Sequence, residues 1–139
     1  MTAEVLIVDD EKAVRESLKD VLELEEYNVN VAASGETALE MLNEFEYDLV
    51  LLDLKMPGIS GVDVMHQVKR IYPNTKVIIL TGHGSLESAI EAIRYGAEDY
   101  LLKPFETGDI LDAIARALSE KAERQRKEML IEQLESSIE

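Results

Sequence analysis

Asp48-Leu49-Val50-Leu51-Leu52-Asp53, followed by Leu54-Lys55-Met56-Pro57-Gly58, is the stretch that decides the fold. The unbroken apolar run Leu49 to Leu52 is too short for a buried helix. It reads as a strand covered on both faces, the habit of a parallel sheet. The run ends on a carboxylate, Asp53, and Pro57-Gly58 then turns the chain toward a new helix. In open parallel sheets, chemistry collects at the carboxyl ends of strands. Asp53 is therefore placed to react or to hold a metal.

Outward from this strand the same pattern repeats. Residues 4–8 carry Val5, Leu6, Ile7 and Val8 and end in Asp9-Asp10-Glu11. Lys12 to Glu25 has apolar residues at Val14, Leu18, Val21, Leu22 and Leu24, the spacing of an amphipathic helix. Asn28 to Ala32 alternates polar and apolar, as an edge strand does. Ser34 fits an N-cap, and the helix after it turns Ala38, Leu39, Met41 and Leu42 inward. Gly61 to Tyr72 reads as a third helix with Val64, Met65, Val68 and Ile71 on one face and Pro73 as its stop.

Lys76 to Thr81 is another buried strand, with Gly82-His83-Gly84 as its loop. Ser85 is placed to cap a fourth helix that packs through Leu86, Ala89, Ile90 and Ile93, and Gly96 to end it as the C′ residue. Glu98 to Leu102 forms a fifth strand, Lys103-Pro104 a sharp exit, and Thr107 to about Ala122 a fifth helix. Five strand–helix units in strict alternation imply a parallel sheet with helices on both faces. Asp9, Asp10, Asp53, Thr81 and Lys103 then gather at one sheet edge.

Composition narrows the field. The chain has 139 residues, 46% hydrophobic and 31% charged, which suits one globular domain. The net charge is −15, from 14 Lys and Arg against 29 Asp and Glu, and this argues against direct binding of nucleic acid or an anionic membrane. There is no cysteine, so disulfides and thiolate chemistry are excluded. No apolar run approaches the roughly 18 residues of a membrane span, and the cytoplasm is the expected location.

Three converging carboxylates repel one another, and a divalent cation relieves that. Hard oxygen ligands in a small cluster suit Mg²⁺. The hydroxyl of Thr81 and the ammonium of Lys103 on the rim both bind oxyanions. A carboxylate, a metal and two oxyanion binders describe phosphoryl transfer to an aspartate. Taken singly, Asp9 and Asp10 are ordinary helix-capping carboxylates, Thr81 a turn residue, Tyr100 a packing residue and His83 a solvated loop histidine. The convergence carries the sharper reading.

The sequence resembles the response regulator receiver domains of two-component signalling. The resemblance rests on Val8-Asp9-Asp10-Glu11, Leu52 to Gly58, Leu80-Thr81-Gly82, Gly96-Ala97 and Tyr100-Leu101-Leu102-Lys103-Pro104-Phe105, in order, across residues 4 to about 118. It implies a flavodoxin-like (βα)5 three-layer sandwich with strand order 2-1-3-4-5. It implies that Asp53 is the phosphoacceptor and that Asp10 binds Mg²⁺ directly, with Asp9 acting through water and the Lys55 carbonyl completing the protein ligands. Thr81 and Lys103 would bind the phosphoryl group, Tyr100 would rotate inward when Thr81 moves, and the Lys103–Pro104 bond would be cis. The implied donor is a sensor histidine kinase or a small phosphodonor. The implied activity is that of a switch, with only self-phosphorylation and self-dephosphorylation chemistry of its own. An output domain or effector would read the face made by the fourth helix, fifth strand and fifth helix. Leu80 to Gly84, Ala89, Ile93 and Gly96-Ala97 are most similar to receivers of the nitrogen-regulatory transcriptional activator group.

Lys55 and His83 lie two residues after Asp53 and Thr81, where side chains can overhang the phosphoryl group. We expect Lys55 to contact it and hinder attacking water. Residues 1–118 read as the receiver and 119–139 as a helical extension or a linker to an output domain. Met129, Leu130, Ile131, Leu134 and Ile138 put an apolar stripe on that tail, under two clean heptads long. Such a stripe needs a partner, so a homodimer through the tail or through the fourth-helix face is expected. Two rival readings fail on residue type. A phosphatase of the haloacid dehalogenase type needs a second Asp two residues after the nucleophile, where this chain has Lys55. A flavodoxin-like flavin carrier needs a Ser/Thr/Gly-rich phosphate loop after the first strand, where this chain has Asp9-Asp10-Glu11.

Overall fold

The computed structural model describes residues 2–82 and 86–137, and the side chain of residue 126 lies outside that description. Among the described residues the chain forms β1 (Glu4–Val8), α1 (Lys12–Leu24), β2 (Asn28–Ala32), α2 (Gly35–Glu44), β3 (Leu49–Asp53), α3 (Gly61–Ile71), β4 (Lys76–Thr81), α4 (Leu86–Arg94), β5 (Asp99–Leu102) and α5 (Thr107–Ser136). The strands form one parallel sheet in the order β2-β1-β3-β4-β5. The expected alternation and strand order are therefore borne out.

Strand side chains point to alternate faces, and here both faces are covered. Leu6, Val8, Val50, Leu52, Val77 and Ile79 pack under α2, α3 and α4, against Leu42, Val64, Met65, Val68 and Ala92. Val5, Ile7, Leu49, Leu51, Ile78 and Leu80 pack under α1 and α5, against Leu18, Leu22, Ile110, Ala113 and Ile114. This is why the central strands are apolar throughout. Each such side chain contributes about 1.5–3 kcal/mol on burial.

The helix starts follow their local chemistry. Ser34 Oγ accepts the Thr37 amide at 3.1 Å, and Ser60 Oγ accepts the Asp63 amide at 3.2 Å. Gly96 adopts φ +113 and its amide donates to Ile93 at 3.0 Å, closing α4 in the left-handed conformation that glycine tolerates. The expected cap Ser85 and the loop residues His83 and Gly84 lie outside the described residues, as does Ile138.

Three expectations are corrected. In α4, Ala89 and Ala92 face the core, while Leu86, Ile90 and Ile93 are exposed. The alanines let the helix approach the sheet closely, and the larger side chains then fall on the outer arc. Ile71 ends α3 and is also exposed. Finally, α5 does not stop near Ala122 but continues to Ser136. Its polar middle is composed of Glu, Lys, Arg, Gln and Ala, all good helix formers. Among the described side chains the last buried one along it is Lys121; Met129, Leu130, Ile131 and Leu134 are exposed.

Candidate functional site

Register brings the site together. Val8 pairs with Leu52, Asp53 with Leu80 and Thr81 with Leu102. Asp9, Asp53, Thr81 and Lys103 therefore sit at one edge of the sheet, at or just past the ends of four adjacent strands. Carboxylate oxygens of Asp9, Asp10 and Asp53 lie within 4.8 Å of one another. Asp9 and Asp53 are buried and Asp10 is exposed. Three hard-oxygen donors, one of them open to solvent, fit a divalent cation that keeps several waters. That donor set matches Mg²⁺ better than a soft metal.

Asp53 is held by its neighbours. The Lys55 amide donates to Asp53 Oδ1 at 3.2 Å, while Lys103 Nζ lies 3.6 Å from Oδ2. Burial, then the charge of Asp9, lifts its carboxyl from the ordinary 3.8 to about 6, against the opposing pull of Lys103 and the Lys55 amide. The group is poised to gain from a cation, which would favour its charged form.

Lys103 makes its closest contact with Asp9 Oδ2, at 2.6 Å, and a second with Glu11 Oε1 at 3.2 Å. Burial alone would pull the ammonium's pKa down. The hydrogen bond and charge of Asp9, with Asp53 and Glu11, more than offset that and hold it above the usual lysine value. The Lys103–Pro104 peptide is cis, and the Lys103 amide donates to Thr81 O at 2.7 Å. The Thr81 hydroxyl is buried and donates to Gly82 O at 3.2 Å, so it is turned to its own loop. Tyr100 is 48% exposed and lines a hollow of about 470 Å³ with Leu86, Ala89, Ile90, Ile93 and Arg94.

Sequence reasoning missed three contributors. Glu11 reaches back to Lys103. Arg15, one turn later on α1, donates to the Asp9 carbonyl at 2.8 Å. Gly61 lets the start of α3 pack on the exit of β3: its amide donates to Leu54 O at 3.0 Å, and a Cβ there would collide with the Asp53 carbonyl and Leu54 Cα. Neither the Glu11 nor the Arg15 contact had a local sequence signal. The Gly61 contact had none beyond the glycine itself.

A doubly covered parallel sheet with an acidic cluster at its carboxyl edge defines the class of protein, and the comparisons agree with it. The response regulator receiver domain family matches residues 5–115, so the chain belongs to that family, the phosphorylation-activated switches of two-component signalling. It is 40% identical over 116 residues to the response regulator protein FleR of Pseudomonas aeruginosa, covering 84% of this chain and 24% of FleR. It is 38% identical over 122 residues to sporulation initiation phosphotransferase F of Bacillus subtilis, covering 88% of this chain and 98% of that protein. The crystal structure of NtrX from Brucella abortus superposes with TM-score 0.88 at 31% identity, covering 94% of this chain and 30% of that one. The chain thus spans about a quarter of the length of the first curated relatives it matches. The phosphatase and flavin readings find no support among these similarities.

Proposed function

We propose that Asp53 accepts a phosphoryl group from a sensor histidine kinase or a small acyl phosphate and relays its arrival as a conformational change. The observation that carries this is the buried Asp53 carboxylate with Asp9 and Asp10 oxygens within 4.8 Å and Lys103 at 3.6 Å. Asp10, Asp53 and the Lys55 carbonyl would hold Mg²⁺, with Asp9 assisting through water; bound there, the cation neutralises charge on the phosphoryl oxygens. Asp53 supplies the attacking oxygen. A new P–O bond forms to it as the donor's bond to phosphorus breaks, P–N in a kinase phosphohistidine and P–O in an acyl phosphate, and the leaving group keeps the electron pair. Lys103 turns from its resting partners to the phosphoryl group, and Thr81 leaves Gly82 O to donate to it. The chain's own chemistry is limited to self-phosphorylation and self-dephosphorylation.

The readout is the face of α4, β5 and α5. The exposed Leu86, Ile90, Ile93 and Tyr100 bias it toward an effector, an output domain or a second copy, with Tyr100 turning inward as Thr81 moves. Residues 119–139 act as an extension or linker, and the exposed Met129, Leu130, Ile131 and Leu134 offer a second route to a homodimer. The charge of −15 speaks against direct nucleic-acid binding by this segment. No helix among the described residues is long and apolar enough to cross a membrane, and we place the chain in the cytoplasm.

The test is intact-protein mass after incubation with acetyl phosphate, with and without Mg²⁺. Wild type should gain one phosphoryl group only with Mg²⁺, and Asp53→Ala none. Equal gain in the variant would overturn the assignment of Asp53. Sizing the same samples, with Leu134→Glu and Ile90→Glu beside wild type, tests whether the tail or the α4 face carries a dimer.

A further inference from the structure

We propose that Glu11 is a positioning residue: it restrains Lys103 at the outer rim of the site and so limits how readily the ammonium engages a phosphoryl group on Asp53. This rests on the assignment of Asp53 as phosphoacceptor.

An ammonium carries three protons for donation. Lys103 Nζ directs itself to Asp9 Oδ2 at 2.6 Å and to Glu11 Oε1 at 3.2 Å, while Asp53 Oδ2 stands at 3.6 Å, beyond hydrogen-bond distance. In the resting protein, neither hydrogen-bonded partner is the acceptor. The two partners differ in exposure. Asp9 is fully buried and fixed from within, because its Oδ1 accepts the Glu11 amide at 2.9 Å. Glu11, 61% exposed, pulls from the solvent side.

The Glu11 contact is not a by-product of helix capping. Glu11 stands at the N-cap of α1, yet its carboxylate makes no cap hydrogen bond. It crosses instead to a residue 92 positions away. The backbone of Glu11 thus locks Asp9 while its side chain holds the lysine that Asp9 also binds. Two of the three protons are thereby committed, and drawing the ammonium the further distance to a phosphoryl group on Asp53 strains the Glu11 contact.

An exposed ion pair is weak, so the restraint shifts rates about two- to fivefold rather than by orders of magnitude. A second route to the same sign exists: a negative charge at the entrance repels an anionic donor. Glu11→Asp separates them. It keeps the charge but shortens the side chain by one methylene and breaks the contact with Lys103.

The experiment uses the full 139-residue chain with Mg²⁺ and acetyl phosphate, following phosphoryl uptake by intact mass. The Lys103 ammonium is followed by nitrogen-15 NMR in the absence of donor. We expect both Glu11→Gln and Glu11→Asp to take up phosphoryl groups about two- to fivefold faster than wild type at low salt, with the gap closing as salt screens the pair. The Lys103 ammonium should be more mobile in both variants. Uptake by Glu11→Asp at the wild-type rate, with Glu11→Gln faster, would assign the effect to entrance charge alone and overturn the proposal. So would unchanged uptake in both. A wild-type chain that takes up no phosphoryl group would sink the Asp53 assignment and this inference with it, and is told apart because the parent itself is silent.

Discussion

Lys121 Nζ lies 3.0 Å from Asp48 Oδ1, and the other oxygen of that carboxylate accepts the Glu4 amide at 2.8 Å. Asp48 immediately precedes β3, and its backbone also bonds Glu4 O and the Lys76 amide. One residue therefore joins the starts of β1, β3 and β4 to the buried Lys121 of α5, at the sheet edge opposite Asp53. Replacing Lys121 with Met should cost about 1 kcal/mol, since its partner is part-exposed and water can take its place. Asp48→Ala should cost more, because it also strands the Glu4 amide. Urea unfolding of both variants and of the double variant measures this, and the double should fall short of the sum.

The raised Asp53 carboxyl has a consequence for stability. Its folded pKa is about 6 against an ordinary 3.8. The fold therefore binds this proton more tightly than the unfolded chain does. The resulting stabilisation is complete below the ordinary value and is lost as pH rises through the folded one. In EDTA at about pH 7.5, Asp53→Asn should unfold at a higher temperature than wild type, and the difference should vanish near about pH 4. Adding Mg²⁺ should raise the wild-type unfolding temperature and narrow the gap, because a cation that binds only the folded acidic cluster stabilises it by mass action. A variant less stable than wild type in EDTA would contradict this.

Gly61 carries a steric prediction. A Cβ at this position meets main chain rather than a movable side chain, so Gly61→Ala must displace the start of α3 from the exit of β3. We expect a loss of about 1–3 kcal/mol, the range for overpacking. Mg²⁺ affinity, measured by calorimetry, should weaken as well, because the Lys55 carbonyl follows the displaced loop.

Lys55 separates its backbone from its side chain. The amide fixes Asp53 Oδ1, and alanine preserves it. The side chain is exposed and free to overhang the site. Lys55→Ala should therefore leave phosphorylation by acetyl phosphate intact and shorten the lifetime of the acyl phosphate by admitting water. An unchanged or longer lifetime would refute the overhang.

The fold was largely legible because the apolar runs of β1, β3 and β4 admit few alternatives. The carboxylates at their ends then followed from topology, and with them the site. The failures have physical causes. In α4, apolar residues at 86, 89, 90, 92 and 93 spread around more than one face, and periodicity does not say which arc meets the sheet. Close approach selected the alanines. In α5, the polar stretch after Ser119 carries no burial signal, yet its residues are intrinsically helical and the helix simply continues. Glu11 to Lys103 is a contact across 92 positions of sequence that no local pattern reports.

The unbroken course of α5 has a mechanical outcome. It begins beside the Lys103 loop, is pinned at Lys121, and runs on for fifteen residues to Ser136, about 22 Å at 1.5 Å per residue. The helix is thus a rigid lever with its fulcrum at the base of the sheet. A tilt of about 10° in the sheet-bound half swings the free tip by about 4 Å over that length. The arm from Thr107 to Lys121 is about as long, roughly 21 Å, so a shift of a few ångströms where the helix starts beside the Lys103 loop is carried at full size to the far end of the molecule.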